Sequence, residues 1–89
     1  MIKGKTKSGF SYEINQKMLK DWEVVTLLDN LNRNKISMQE LNALFTLLIS
    51  EEGFDELKAH VRETNEGIVD VNAMVAELKD ILSNDKLKN

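Results

Sequence analysis

A mainly α fold, a small four-helix domain preceded by an N-terminal β-hairpin, follows from three observations in this 89-residue chain. Residues 2–14 alternate in polarity with a period of two, residues 15–83 carry apolar positions at helical spacing, and capping residues stand at the head of successive helical stretches. These patterns divide a single domain, residues 1–89, into a hairpin at 1–14, a helical body at 15–83 and a polar tail at 84–89 with little to bury, which should fray.

In the hairpin, Phe10, Tyr12 and Ile14 alternate with Ser11 and Glu13, and Lys3, Lys5 and Lys7 alternate with Ile2, Gly4 and Thr6. A two-residue turn at Ser8-Gly9 would put the lysines on the same face as the aromatic residues. A three-residue loop, Lys7-Ser8-Gly9, instead pairs Thr6 with Phe10 and Ile2 with Ile14, sets Lys3 opposite Glu13, and gives Gly9 the left-handed position such loops need. The lysine row then either faces solvent, where it discourages edge-to-edge pairing, or forms a site for an anionic ligand.

The first helix is expected after the N-cap Asn15 and as far as about Leu31, where Asn30, Asn32 and Asn34 make continuation poor. On a wheel of about 100° per residue, Met18, Leu19, Trp22 and Val25 cluster in one sector, and Val24, Leu27, Leu28 and Leu31 centre roughly 160° away. Two apolar faces require either a central helix or a second chain. Ser37-Met38-Gln39-Glu40 is a capping box that opens the second helix, whose apolar residues cover an arc of about 200°. Ser50-Glu51-Glu52-Gly53 restarts a third helix with the stripe Phe54, Leu57, Val61, ended by Asn65-Glu66-Gly67. Asp70 caps the fourth, in which Val71, Met74, Val75, Leu78, Ile81 and Leu82 keep helical spacing.

Composition narrows the function classes. The chain is 42% hydrophobic and 30% charged, ordinary for a folded domain. It has no cysteine, which removes disulfides and thiolate metal sites and favours a reducing compartment, so a cytoplasmic location is expected. No run approaches the ~20 apolar residues of a membrane span, and the N-terminus lacks the apolar core of a signal peptide. A net charge of −3 argues against nucleic acid and for a protein partner.

Chemistry-bearing residues are sparse. His60, the single histidine, flanks the apolar stripe beside Leu57, with no serine or cysteine nucleophile at a recognisable spacing. Gly4, Gly9, Gly53 and Gly67 form no phosphate-binding loop. Asp29 to Glu40 matches parts of a calcium-binding loop at Asp29, Ile36, Ser37 and Glu40, but Leu31 and Arg33 stand where oxygen ligands belong and Asn34 replaces the turn glycine. Neither catalytic residues nor a metal or cofactor site is assigned.

The order of features carries more. A Gly-Phe strand, a helix with Asp21-Trp22-Glu23, a leucine-rich helix, then Glu51-Glu52-Gly53-Phe54-Asp55-Glu56-Leu57-Lys58-Ala59-His60-Val61-Arg62 and Asn65-Glu66-Gly67-Ile68-Val69 resemble the phage tail assembly chaperone family of long-tailed phages or prophages of Gram-positive bacteria. The resemblance extends over nearly the whole chain through loose patterns, and departs from the family where Ile49-Ser50 replaces an expected Leu-Gly. It implies a non-enzymatic protein of the bacterial cytoplasm that binds the tape measure protein, helps recruit tail tube subunits and is absent from the mature virion. A chaperone for helical clients needs apolar surface to lend. Leu27, Leu28, Leu31, Leu44, Leu47 and Leu48 are therefore the expected groove for a client or for homo-oligomerisation, with Trp22 anchoring the hairpin to the core. A small regulator, antitoxin-like or anti-repressor, and a structural tail component are the alternative classes.

Overall fold

A computed structural model describes residues 1–84, so the expected fraying of the tail falls, from residue 85 onward, outside the described residues. The chain forms β1 (Ile2–Lys5), β2 (Ser11–Ile14), a 3₁₀ segment (Gln16–Lys20), α1 (Trp22–Asn32), α2 (Met38–Thr64) and α3 (Val71–Leu82). It is mainly α with an N-terminal hairpin, but the α-helices among the described residues are three and not the expected four. No helix among them is long and apolar enough to cross a membrane.

The hairpin has the expected register. Ile2 pairs with Ile14, Lys3 with Glu13, Gly4 with Tyr12 and Lys5 with Ser11. Thr6 N donates to Phe10 O (2.8 Å) and Gly9 N to Thr6 O (3.0 Å), closing the three-residue loop, and Gly9 sits at φ +98°, where a side chain would be strained. Lys3 meets Glu13 across the solvent face at 3.3 Å. On the other face Phe10, Tyr12 and Ile14 are buried, and the Tyr12 ring lies so close to Gly4 that any Cβ there would collide with it.

The first expected helix is interrupted. Asn15 does cap a helical start, accepting from Lys17 N, but it opens only a 3₁₀ stretch that stops at Asp21, whose backbone is extended (φ −72°, ψ 133°). Asp21 then caps α1 afresh, its Oδ2 accepting from Val24 N (3.2 Å). This break resets the helical phase, so Met18 and Leu19 no longer share a sector with Trp22 and Val25. At the far end Asn34 adopts the left-handed conformation (φ +56°), with Lys35 N donating to Asn30 O (2.9 Å).

The segments expected as second and third helices are one element, α2, because no linker separates them. A single residue, Ser50, leaves helical geometry at φ +72°, ψ 166°. Its Oγ caps the next turn by accepting from Gly53 N (3.2 Å), as the Ser-Glu-Glu-Gly pattern predicts. The bend is sharp. In a straight helix Phe45 and Phe54 would be separated by about 13.5 Å of rise and would point to opposite sides. Instead their rings stack at 4.9 Å with an interplanar angle of 8°. The two halves of α2 thus fold toward each other, placing Leu41, Leu44, Phe45, Leu48 and Ile49 from one half and Phe54, Leu57 and Val61 from the other in a single core.

α3 closes the domain against the hairpin. Thr6 Oγ1 donates to Glu77 Oε1 (2.8 Å), Ser8 Oγ to Glu77 Oε2 (2.9 Å), and Lys7 N to Asp80 Oδ2 (2.7 Å). Asn84 Nδ2 adds a bond to Tyr12 Oη (2.8 Å). Glu77 is only 8% exposed, yet its two oxygens are both engaged. Val71, expected on the apolar stripe, is exposed at the head of α3.

Urea denaturation of two sets of substitutions probes these contacts. Glu77→Ala removes the acceptor for two hydroxyls, one of them buried, and should cost about 2–3 kcal/mol, against about 1 for Glu77→Gln, which keeps one acceptor oxygen; a loss below ~0.5 kcal/mol for both would refute the clip. Ser50→Gly relieves a backbone region that suits glycine and sacrifices a weak cap, for a net gain of about 0.5–1 kcal/mol, whereas Ser50→Ala keeps the strain, loses the cap and should destabilise.

Candidate interaction surface

The leucines expected to line a client groove are placed mostly inside. Leu27, Leu31, Leu44 and Leu48 belong to the buried core, and Leu28 and Leu47 pack partly buried against it. The cause is the bend in α2. Folding its halves together makes the Val24–Leu27–Leu31 sector of α1 the lid of that core, so these side chains are saturated within one chain. Docking through them would require the fold to open.

Trp22 is corrected in the opposite sense. It does not anchor the hairpin; it is 82% exposed, and its indole N–H has no partner among the described residues. Its position follows from the Asp21 cap, which makes Trp22 the first residue of α1 and turns it to the side opposite Val24 and Leu27. Val25, one turn on, is 49% exposed, and the two side chains are neighbours at i, i+3 spacing. Lys20 and Glu23 flank them in solvent. An unpaired tryptophan on a rigid helix, with an apolar body and a free donor, is the composition of a binding anchor. Met38, Ile68 and Val71 are exposed elsewhere on the chain.

The one close grouping of chemically versatile side chains among the described residues is Ser8, His60 and Glu77, which sequence spacing could not bring together. Ser8 Oγ lies 3.0 Å from His60 Nε2 and 2.9 Å from Glu77 Oε2. The hydroxyl has a single proton, and it goes to the carboxylate, so the ring nitrogen must donate to Ser8. That polarity is the reverse of a histidine base drawing a proton from serine. The ring also tilts against Phe10 (centroids 5.8 Å apart, 46°), consistent with the expected boundary position. The grouping acts as a clip between loop, α2 and α3.

The partial calcium-loop match resolves into local bonds. Glu40 Oε1 accepts from Ser37 N (3.0 Å) and Oε2 from Asn30 Nδ2 (2.8 Å), while Asp29 accepts from Arg33. The Ser37 amide first, then Asn30, hold the Glu40 carboxyl below its ordinary range. These oxygens are taken by protein donors.

No protein-family model, curated protein or solved structure matches this chain.

Core and surface assignments separate under mutation. Trp22→Ala should change stability by less than ~0.5 kcal/mol and Leu44→Ala should cost about 3 kcal/mol. In the unmodified chain, tryptophan fluorescence should be red-shifted and quenched by iodide nearly as well as that of the unfolded chain. Shielded fluorescence in a monomer would overturn the placement of Trp22.

Proposed function

We propose that this chain is a non-enzymatic phage tail assembly chaperone that binds the tape measure protein and helps recruit tail tube subunits in the cytoplasm of the bacterial host, leaving before the virion matures. The order of sequence features supports the family, and the exposed Trp22–Val25 pair supports a docking role at that patch. A helical client presenting an apolar stripe would cover Trp22 and Val25, with Lys20 and Glu23 at the rim. An exposed tryptophan is the observation that carries this reading, because burying it on a partner removes more apolar surface from water than any other exposed side chain here.

Co-expression with a tape measure segment tests it. The segment should be soluble and recovered in a complex only with this chain present, and Trp22→Ala should lower recovery several-fold without unfolding the chaperone. Equal solubility with and without the chain, and no complex, would sink the proposal, and detection of the chain in purified virions by mass spectrometry would favour a structural tail component instead.

A further inference from the structure

We infer that the outer edge of β2, facing the second half of α2 across a groove, is a docking site for an extended basic peptide segment that adds a strand to the hairpin. Because Thr6 and Phe10 are a hydrogen-bonded pair, the antiparallel pattern alternates, and Lys5–Ser11 and Lys3–Glu13 are the pairs without mutual bonds. The N–H and C=O groups of Ser11 and Glu13 therefore point away from β1. No other backbone group among the described residues bonds to them. A row of unmet donors and acceptors of this kind is a template for another strand.

The edge opens onto space. A groove of about 710 Å³ has Lys3 and Lys5 of β1 beside Ser11, Tyr12 and Glu13 of β2 on the hairpin side, and Ser50, Glu52, Gly53 and Glu56 on the helix side. A second cavity of about 370 Å³ continues it toward the loop, sharing Phe10, Ser11 and Glu56 and adding Ala59 and Glu63. Together they follow α2 from Ser50 to Glu63, about 20 Å at helical rise, enough for a strand of about six residues. Gly53 and Ala59 keep the helix wall low.

Charge selects the occupant. Glu52, Glu56 and Glu63 fall within an arc of about 40° on α2, and none has an ion pair among the described residues. On the strand side, Glu13 is already neutralised by Lys3. Lys5 also lines the groove from β1, so three carboxylates on α2 face this one lysine and the site is net negative. A second copy of this chain brought in by its own β2 would set one carboxylate row against another, which like-charge repulsion opposes. A strand bearing lysine or arginine on the side facing α2 satisfies both the backbone groups and the carboxylates. This site is separate from Trp22 and does not rest on the proposed tail function.

The test is an NMR titration of the nitrogen-labelled full chain with a synthetic peptide of alternating Lys and Thr. The Ser11 and Glu13 amides and those of residues 52–63 should shift on saturation. The triple variant Glu52→Gln, Glu56→Gln, Glu63→Gln, whose exposed positions leave the fold intact by circular dichroism, should bind roughly ten-fold more weakly. N-methylation of alternate peptide residues, tried in each of the two phases, should abolish binding in the phase that blocks the paired edge. The inference fails if an alternating Glu and Thr peptide binds equally well, if both N-methylated peptides retain full affinity, if shifts map elsewhere or are absent at millimolar peptide, or if the free chain already dimerises through β2.

Discussion

A carboxylate from the last helix, held under the first turn of the chain, joins the two ends of this fold. Glu77 accepts from Thr6 and Ser8 at once, and the neighbouring Asp80 takes the backbone N–H of Lys7. A two-stranded hairpin is marginal by itself in water and needs a surface to lie on. The apolar residues Phe10, Tyr12 and Ile14 supply attraction without direction; the carboxylates supply direction, since only one placement of the loop on α3 satisfies both oxygens of a buried Glu77. Release of this contact would leave a buried charge unmet and uncover one side of α2.

The bend at Ser50 is the second determinant. In an unbent helix of this length, the apolar residues before and after residue 50 could not share a core, and the Phe45–Phe54 stack could not form. A serine at φ +72° stores strain that the surrounding packing holds in place: Gly53 N on its Oγ, the ring stack, and Lys58 Nζ lying 4.4 Å from the Phe54 ring centroid. The family proposed for this chain would have Leu-Gly where the chain has Ile49-Ser50. A positive φ at the second position gives a physical reason for glycine there, and the cap gives one for serine.

Legibility in the sequence divides along the same lines. Hairpin register followed from alternation and one glycine, and Ser37 and Asp70 announced their helices because capping is a local interaction. A phase error explains the misplaced Trp22. Treating residues 16–31 as one helix puts Trp22 with Met18 and Leu19, although Asp21-Trp22-Glu23, an N-cap residue followed by an acidic first turn, is itself a start signal. The count of helices turned on whether one non-helical residue ends a helix or bends it. Glu77 offered a clue of its own: it sits between Met74, Leu78 and Ile81 on the inward stripe, and a carboxylate there demands a partner. Which partner was a tertiary fact, as was the meeting of Ser8 with His60.

The size of the Trp22 surface constrains any function built on it. A tryptophan and half a valine can bury about 250–300 Å², well below the ~800 Å² per partner of a stable interface. One copy holding one client by this patch would therefore bind weakly and exchange quickly. A long helical client, however, offers many equivalent stripes, and many copies bound along it would keep its apolar surface covered through mass action and mutual contacts. On the proposed function, weak single contacts become an advantage, because a coat that must later yield to tail tube subunits cannot be held by interfaces that dissociate slowly. On the proposed reading, the fold keeps its leucines inside for stability and exposes one aromatic anchor, so that affinity is set by the number of copies on the client.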